Sequence, residues 1–421
     1  MKLFLISFLI FTQALSFEYS IGTSGYGRIQ NSFQEGKENV CFQAPGAGSK
    51  YRLGNECETW FEPALFQNIA LENGIQIYNK VRPIFFGAND KEIDFFSWGE
   101  FYTQISNTFD NDISFWVGRR WFSRFDSHMT DYFYLNTSGD GLGFENLKIR
   151  DYSISYSFVF DNLKLSDNLV QNEEIFLQSH DIRIKKNIDR GDITLFFNYV
   201  AVNEKNFHAT NRVENLNGYA FGLLFNDKVI TKELFSMQGS SVIGLFFGKS
   251  LGKNAGAHVP YLSAQLEREK LANNLLNSYK SINNSKTLRF INYNTFENND
   301  IGIMSNFVYE YRDDKKFTNL EQTWTTFGIR PYWFLNKNLR VLIESGYDYV
   351  HDNIVDKSYS LLKNTLAFEL ALEKGIMQRP VIRLFYTNAK WSDSATGLVS
   401  ANYYTNKTSG DNFGIQFEYW W

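Results

Sequence analysis

Apolar and polar residues alternate with a period of two through much of this chain. In the last stretch, Phe413, Ile415, Phe417, Tyr419 and Trp421 share one face of an extended strand, and Gly414, Gln416, Glu418 and Trp420 share the other. In Tyr152–Phe160, aromatic and branched residues face away from Ser153, Ser155 and Ser157. The pattern recurs over Ile193–Tyr199, over Arg340–Tyr349 with Arg340, Glu344 and Asp348 on the wet face, and over Ile382–Tyr386. Clusters such as Asn298-Asn299-Asp300 and Asp313-Asp314-Lys315-Lys316 read as turns and outer loops. Leu262–Lys280 departs from strand logic. It is rich in helix formers and reads as a helical excursion in an outer loop.

Strands that are greasy on one side and wet on the other, the last ending in an aromatic residue, predict a transmembrane barrel, apolar toward lipid and polar toward a lumen. Trp420 breaks the pattern, because parity puts it on the wet side. It lies either in the interfacial aromatic girdle or against what passes through the pore.

Composition favours the same architecture. Of 421 residues, 17% are aromatic and only 6 are Pro, while mean hydropathy is −0.33, too polar for helical spans. After Ser16 there is no run of about 18 apolar residues, as a membrane helix would need. Lys2, the apolar core Leu3–Phe11 and the small residues of Ala14-Leu15-Ser16 read as a signal peptide over residues 1–16, leaving residues 17–421 as one barrel domain. At roughly 22 residues per strand and connection, that length predicts an all-β antiparallel barrel of about 18 strands, with 16 possible. A barrel that wide holds an aqueous channel. The formal net charge of −4 argues against nucleic acid. Export favours a disulfide between Cys41 and Cys57 that closes a short surface loop; two buried free thiols are the other reading. No Cys/His spacing suggests zinc, and no cofactor is implied.

The segment Arg119–Asn146 packs Arg119, Arg120, Arg124, Asp126, His128 and Asp131 among aromatics and ends in Gly139-Asp140-Gly141-Leu142-Gly143. Mixed charge of this kind is wrong for lipid and costly in a packed core. It suits a loop folded into the pore. This loop, the run Ser49–Thr59, Gly328-Ile329-Arg330-Pro331 with Gly346-Tyr347-Asp348, Arg379–Arg383 and the final Trp-Trp together resemble the maltoporin family of carbohydrate porins over nearly the whole mature chain. The resemblance implies an 18-stranded homotrimer in the bacterial outer membrane, surrounded by outer-membrane lipid, with a third loop constricting each channel. It also implies that sugars move along aromatics flanked by charges.

By motif, the aromatic path corresponds to Tyr26, Trp60 and Trp420, and the charged track to Arg28, Arg52, Glu62, Arg124, Asp126 and Asp131. Parity agrees, since Tyr26 shares a face with Arg28 and Gln30, and Trp60 with Glu58 and Glu62. Guanidinium and carboxylate groups supply the donors and acceptors that sugar hydroxyls need. For Arg52, in the loop bounded by the cysteines, a solvated position is the competing reading. Several positions depart from the family: Phe133 stands where a Tyr is usual, Met377 replaces an aromatic, and Gly99 replaces a lumen Arg. Trp98 is misplaced for the inter-subunit contact of the second loop, for which Phe95 and Phe96 are conceivable substitutes, and Phe235 is one candidate for a further path aromatic.

The reading is a porin for facilitated diffusion of maltodextrin-like sugars. The alternative is a general or ion-preferring porin with a degenerate sugar path. An outer-membrane barrel enzyme would need a positioned nucleophile and base, and His128, His180, His208, His258 and His351 have no motif partner.

Overall fold

In the computed structural model, side-chain exposure follows the period of two. Along Val381–Trp391, Ile382, Leu384 and Tyr386 are exposed while Val381, Arg383, Phe385 and Thr387 are buried. A strand with one lipid-compatible face must close on itself to hide its edges, and this chain does. The structure describes residues 17–34, 40–88, 95–109, 112–167, 170–204, 216–252, 284–315 and 320–421. The signal-peptide segment and the helix expected over Leu262–Lys280 lie outside the described residues.

The first half of the chain supplies β1 (Phe17–Ser32), β2 (Glu58–Leu71), β3 (Gln76–Ala88), β4 (Phe95–Ser106), β5 (Ser114–Arg120), the short pair β6 (Phe125–Ser127) and β7 (Tyr132–Leu135), β8 (Gly139–Ile149), β9 (Tyr152–Asp167), β10 (Val170–Ile188) and β11 (Gly191–Glu204). The second half supplies β12 (Leu216–Asp227), β13 (Gln238–Lys249), β14 (Lys286–Glu297), β15 (Ile301–Asp313), β16 (Glu321–Phe334), β17 (Leu339–Asp352), β18 (Lys357–Ala371), β19 (Val381–Trp391) and β20 (Ser409–Trp420). Apart from the β6–β7 hairpin, these form one 18-stranded sheet. Neighbours in sequence pair antiparallel, and β20 pairs with β1, Tyr26 opposite Trp420, closing the barrel. One rim has tight turns, such as Asn73-Gly74 between β2 and β3, where Gly74 takes a φ of +84° and Asn73 accepts from the Ile75 amide at 3.2 Å. The longer connections lie at the other rim.

Two of those connections fold inward. Residues 40–57 do not form the short surface loop expected between the two cysteines; Val40, Phe42, Tyr51 and Leu53 are buried against the inner wall. The reason lies partly in the paired glycines of β16 and β17. Gly328 faces Gly346 across the ladder, and a Cβ on either would overlap the Tyr51 ring that lies on them. The Tyr51 hydroxyl and Thr326 Oγ1 share a hydrogen bond of 2.7 Å. Backbone buried in this way needs partners. Asn55 supplies them by accepting from the Phe42 amide (2.7 Å) and donating to the Phe42 and Tyr51 carbonyls. Cys41 and Cys57 are joined by a disulfide across the base of this loop.

Residues 121–138 form the second inward loop. The segment read as Arg119–Asn146 is therefore shorter than expected: Arg119 and Arg120 end β5, and Gly139 onward is β8, a barrel strand. Arg119 pairs with Asp140 across the β5–β8 ladder on the outer face. Within the lumen, Met129, Tyr51 and Leu53 pack with Met304, Tyr332, Leu342 and Phe385.

Candidate functional site

Inward parity and the two infolded loops bring all ten residues of the expected sugar path to one cavity of about 350 Å3. Tyr26, Arg28, Arg52, Trp60, Glu62, Arg124, Asp126, Asp131, Phe133 and Trp420 line it, together with Arg82 and His128.

The aromatic side is built across strands β1, β2 and β20. The Tyr26 and Trp420 rings stack at 6.4 Å and 25°, and Trp60 stands edge-on to Phe86 at 5.5 Å. Each ring is backed by a cation. Arg28 lies 5.7 Å from the Trp60 ring, Arg52 lies 6.0 Å from Tyr26, and Arg379, from the turn before β19, lies 4.3 Å from Trp420. Trp420 is thereby a lumen residue rather than a girdle one.

Arg52 is not solvated; it is 5% exposed. Its guanidinium pairs with Glu56, donates to the Tyr26 hydroxyl and meets Glu418 at 3.3 Å. Tyr26 in turn donates to Glu418 at 3.1 Å. Arg28 donates to Asp131 at 2.8 Å and to Glu58 at 3.2 Å. Burial raises the Asp131 carboxyl, but Arg52 and Arg28 outweigh it and hold the group well below the usual carboxylate range. Burial pushes His128 well below the usual imidazole value, so the ring is neutral. Its Nδ1 faces Arg52 at 3.4 Å and its Nε2 lies 3.5 Å from Glu418. Nε2 also lies 3.1 Å from the Arg379 guanidinium, so the ring sits between two arginines and Glu418. His128 also stands edge-on to Trp420 at 5.4 Å, tying the infolded loop to the last strand.

Sequence reasoning missed Arg82 and Trp121; it put His128 in the pore loop and Glu418 on the wet face but assigned neither of them, nor Arg379, to the path. Arg82 was findable, since it shares a face of β3 with Tyr78 and Lys80. The departures also take definite places. The room beside Gly99 is filled by Ile84 and Trp121. Met377 is exposed in the turn before β19, and Phe96 and Trp98 are exposed on the outer face. The side chains of Phe95 and Phe235 lie outside the described residues. His351 meets Ser358 at 2.9 Å on the β17–β18 hairpin rather than in the cavity.

A closed 18-stranded antiparallel barrel, apolar outside, with a polar cavity narrowed by an infolded loop, defines a bacterial outer-membrane porin, a channel for diffusion. The chain belongs to the LamB porin family, whose model matches residues 21–421. Its fold is similar to that of the outer-membrane channel DcaP of Acinetobacter baumannii, at a TM-score of 0.52 and 9% identity over 96% of this chain and 97% of that one. A BenF-like porin from Pseudomonas fluorescens Pf-5 matches at a TM-score of 0.49 and 8% identity, over 96% of this chain and 98% of that one.

Proposed function

We propose that this porin passes sugars of the maltodextrin type by facilitated diffusion, and that it does so as a homotrimer. The observation that carries the reading is the single cavity in which Tyr26, Trp60 and Trp420 stand beside Arg28, Arg52, Glu62 and Asp131. A pyranose has CH-rich faces and a rim of hydroxyls. Aromatic rings take the faces, while guanidinium and carboxylate groups exchange hydrogen bonds with the rim. No energy source is needed; each contact must bind weakly enough to hand the sugar on.

Single-channel recording in planar bilayers with added maltooligosaccharides tests this. Concentration-dependent block supports the sugar path, and Trp420→Ala is expected to weaken block by about tenfold, the loss of a ring contact worth ~1 kcal/mol or more. Free passage of ions with no block by any saccharide would establish the ion-preferring alternative. Closure in three equal current steps is the expected mark of the trimer.

A further inference from the structure

Beside the aromatic path, on the β3 side of Trp60, the cavity carries a second arrangement. Two guanidiniums share one indole: Arg124 lies 3.8 Å and Arg82 4.6 Å from the Trp121 ring. Arg124 also lies 4.5 Å from the Phe133 ring. Arg82 comes from the strand next to the one where Gly99 leaves room, and Trp121 occupies that room. Arg82 has acidic partners, Glu100 at 2.9 Å and Glu62 at 3.8 Å. Arg124 differs from the other cavity arginines. Among the described residues it makes no ion pair within 4 Å; its guanidinium lies on the two rings, and Glu62, Asp126 and Asp131 act on it only from further off.

The chemistry around Arg124 is one-sided. Phe133 has no polar atom and Trp121 offers only an N–H, so neither ring that flanks Arg124 gives its guanidinium an acceptor. The nearest acids act on Arg124 without bonding to it, and Glu62, the strongest of them, is shared with Arg82 at 3.8 Å. Asp131 is engaged by Arg28 at 2.8 Å. Asp126 forms no ion pair among the described residues, and burial followed by the charge of Asp131 raises its carboxyl toward the neutral form. A guanidinium set between two rings, with no carboxylate hydrogen-bonded to it, is met best by a group that only accepts and is itself negative.

We infer that the Arg82–Trp121–Arg124 column is a subsite for the carboxylate of an acidic sugar, so that uronate-containing oligosaccharides are preferred to neutral ones. This rests on the reading of the pore as a sugar channel. The ring face of the uronate would lie along Tyr26, Trp60 and Trp420 while its carboxylate turns to Arg124.

The test compares α-1,4-linked trigalacturonate with maltotriose, which has the same linkage and length, by titrating each against single-channel current in the full-length porin. Trigalacturonate is expected to block at about tenfold lower concentration, the gain of one charge-assisted hydrogen-bonded pair. In Arg124→Gln the acidic sugar should lose that advantage, falling much further than maltotriose does. Equal or weaker block by trigalacturonate in the wild-type channel overturns the inference while leaving the sugar channel standing. So does block by a sugar-free tricarboxylate as strong as that by trigalacturonate. Block by neither saccharide overturns both readings.

Discussion

Glu344 sits on the inner face of β17 with no exposed surface and accepts from Arg330 at 2.8 Å, Lys363 at 2.7 Å and the Leu53 amide at 3.1 Å. Lys363 also reaches the Leu53 carbonyl at 2.6 Å. This cluster therefore fixes the infolded loop to the wall through charges that are tolerable inside only because each is matched. Glu344→Gln leaves two buried cations short of a counter-charge, and the expected cost is about 3–5 kcal/mol. Urea unfolding in detergent, followed by the mobility difference between folded and unfolded barrel on gels, measures it. An unchanged midpoint would mean that the loop is held by packing alone. Alternation in the sequence placed Arg340, Glu344 and Asp348 on the wet face, as found. It could not name their partners, because Leu53 is 291 residues away from Glu344 in the chain and arrives by the folding of a loop.

At the level of elements, the two inward loops divide the lumen between them. The loop of residues 121–138 declared itself through charge density, since its arginines and aspartates fit neither lipid nor a dry core. The loop of residues 40–57 did not. Bounded by two cysteines, it reads as a short surface loop, whereas Asn55 satisfies its backbone from within and the flat Gly328–Gly346 window accepts Tyr51. The disulfide closes this loop over a separation of 16 residues, a length for which cross-linking contributes about 3 kcal/mol. The paired replacement Cys41→Ser and Cys57→Ser should therefore release the loop from Tyr26 and Glu418 as Arg52 withdraws. Conductance is then expected to rise and become noisier, with weaker block by sugars. A double variant with quiet, wild-type current would show that the Glu344 cluster and Tyr51 suffice. Gly346→Val probes the same element from the wall side. By evicting the Tyr51 ring it should open the channel even with the disulfide intact.

For the whole molecule, the closed sheet follows from a local rule applied repeatedly. A period of two with turn clusters between strands yields 18 strands, and the arithmetic of length reached that number because nearly all of the chain from Phe17 onward is used in spanning and connecting. What a local rule cannot reach is how opposite walls of the barrel meet, and the channel's ion preference is decided there. Four arginines, Arg28, Arg52, Arg82 and Arg124, line the cavity with Glu62, Asp126 and Asp131. In the infolded loop, Asp131 is held ionised by Arg52 and Arg28 against the effect of burial, whereas burial and Asp131 raise Asp126. Asp126 is therefore the loop carboxylate that protonates first as pH falls. Its protonation removes one negative charge and leaves the arginines in greater excess. Reversal potentials in a salt gradient are thus expected to move toward anion preference as pH is lowered through the range in which Asp126 takes up its proton, and to return on raising it. Asp126→Asn should already show the anion-shifted potential at neutral pH and a smaller further change on acidification. A variant that shifts with pH as much as the wild type would assign the titration to another carboxylate of the lumen. Because exposed charges are screened within about 10 Å at 0.1 M salt, the shift should be largest in dilute electrolyte and shrink as salt is raised.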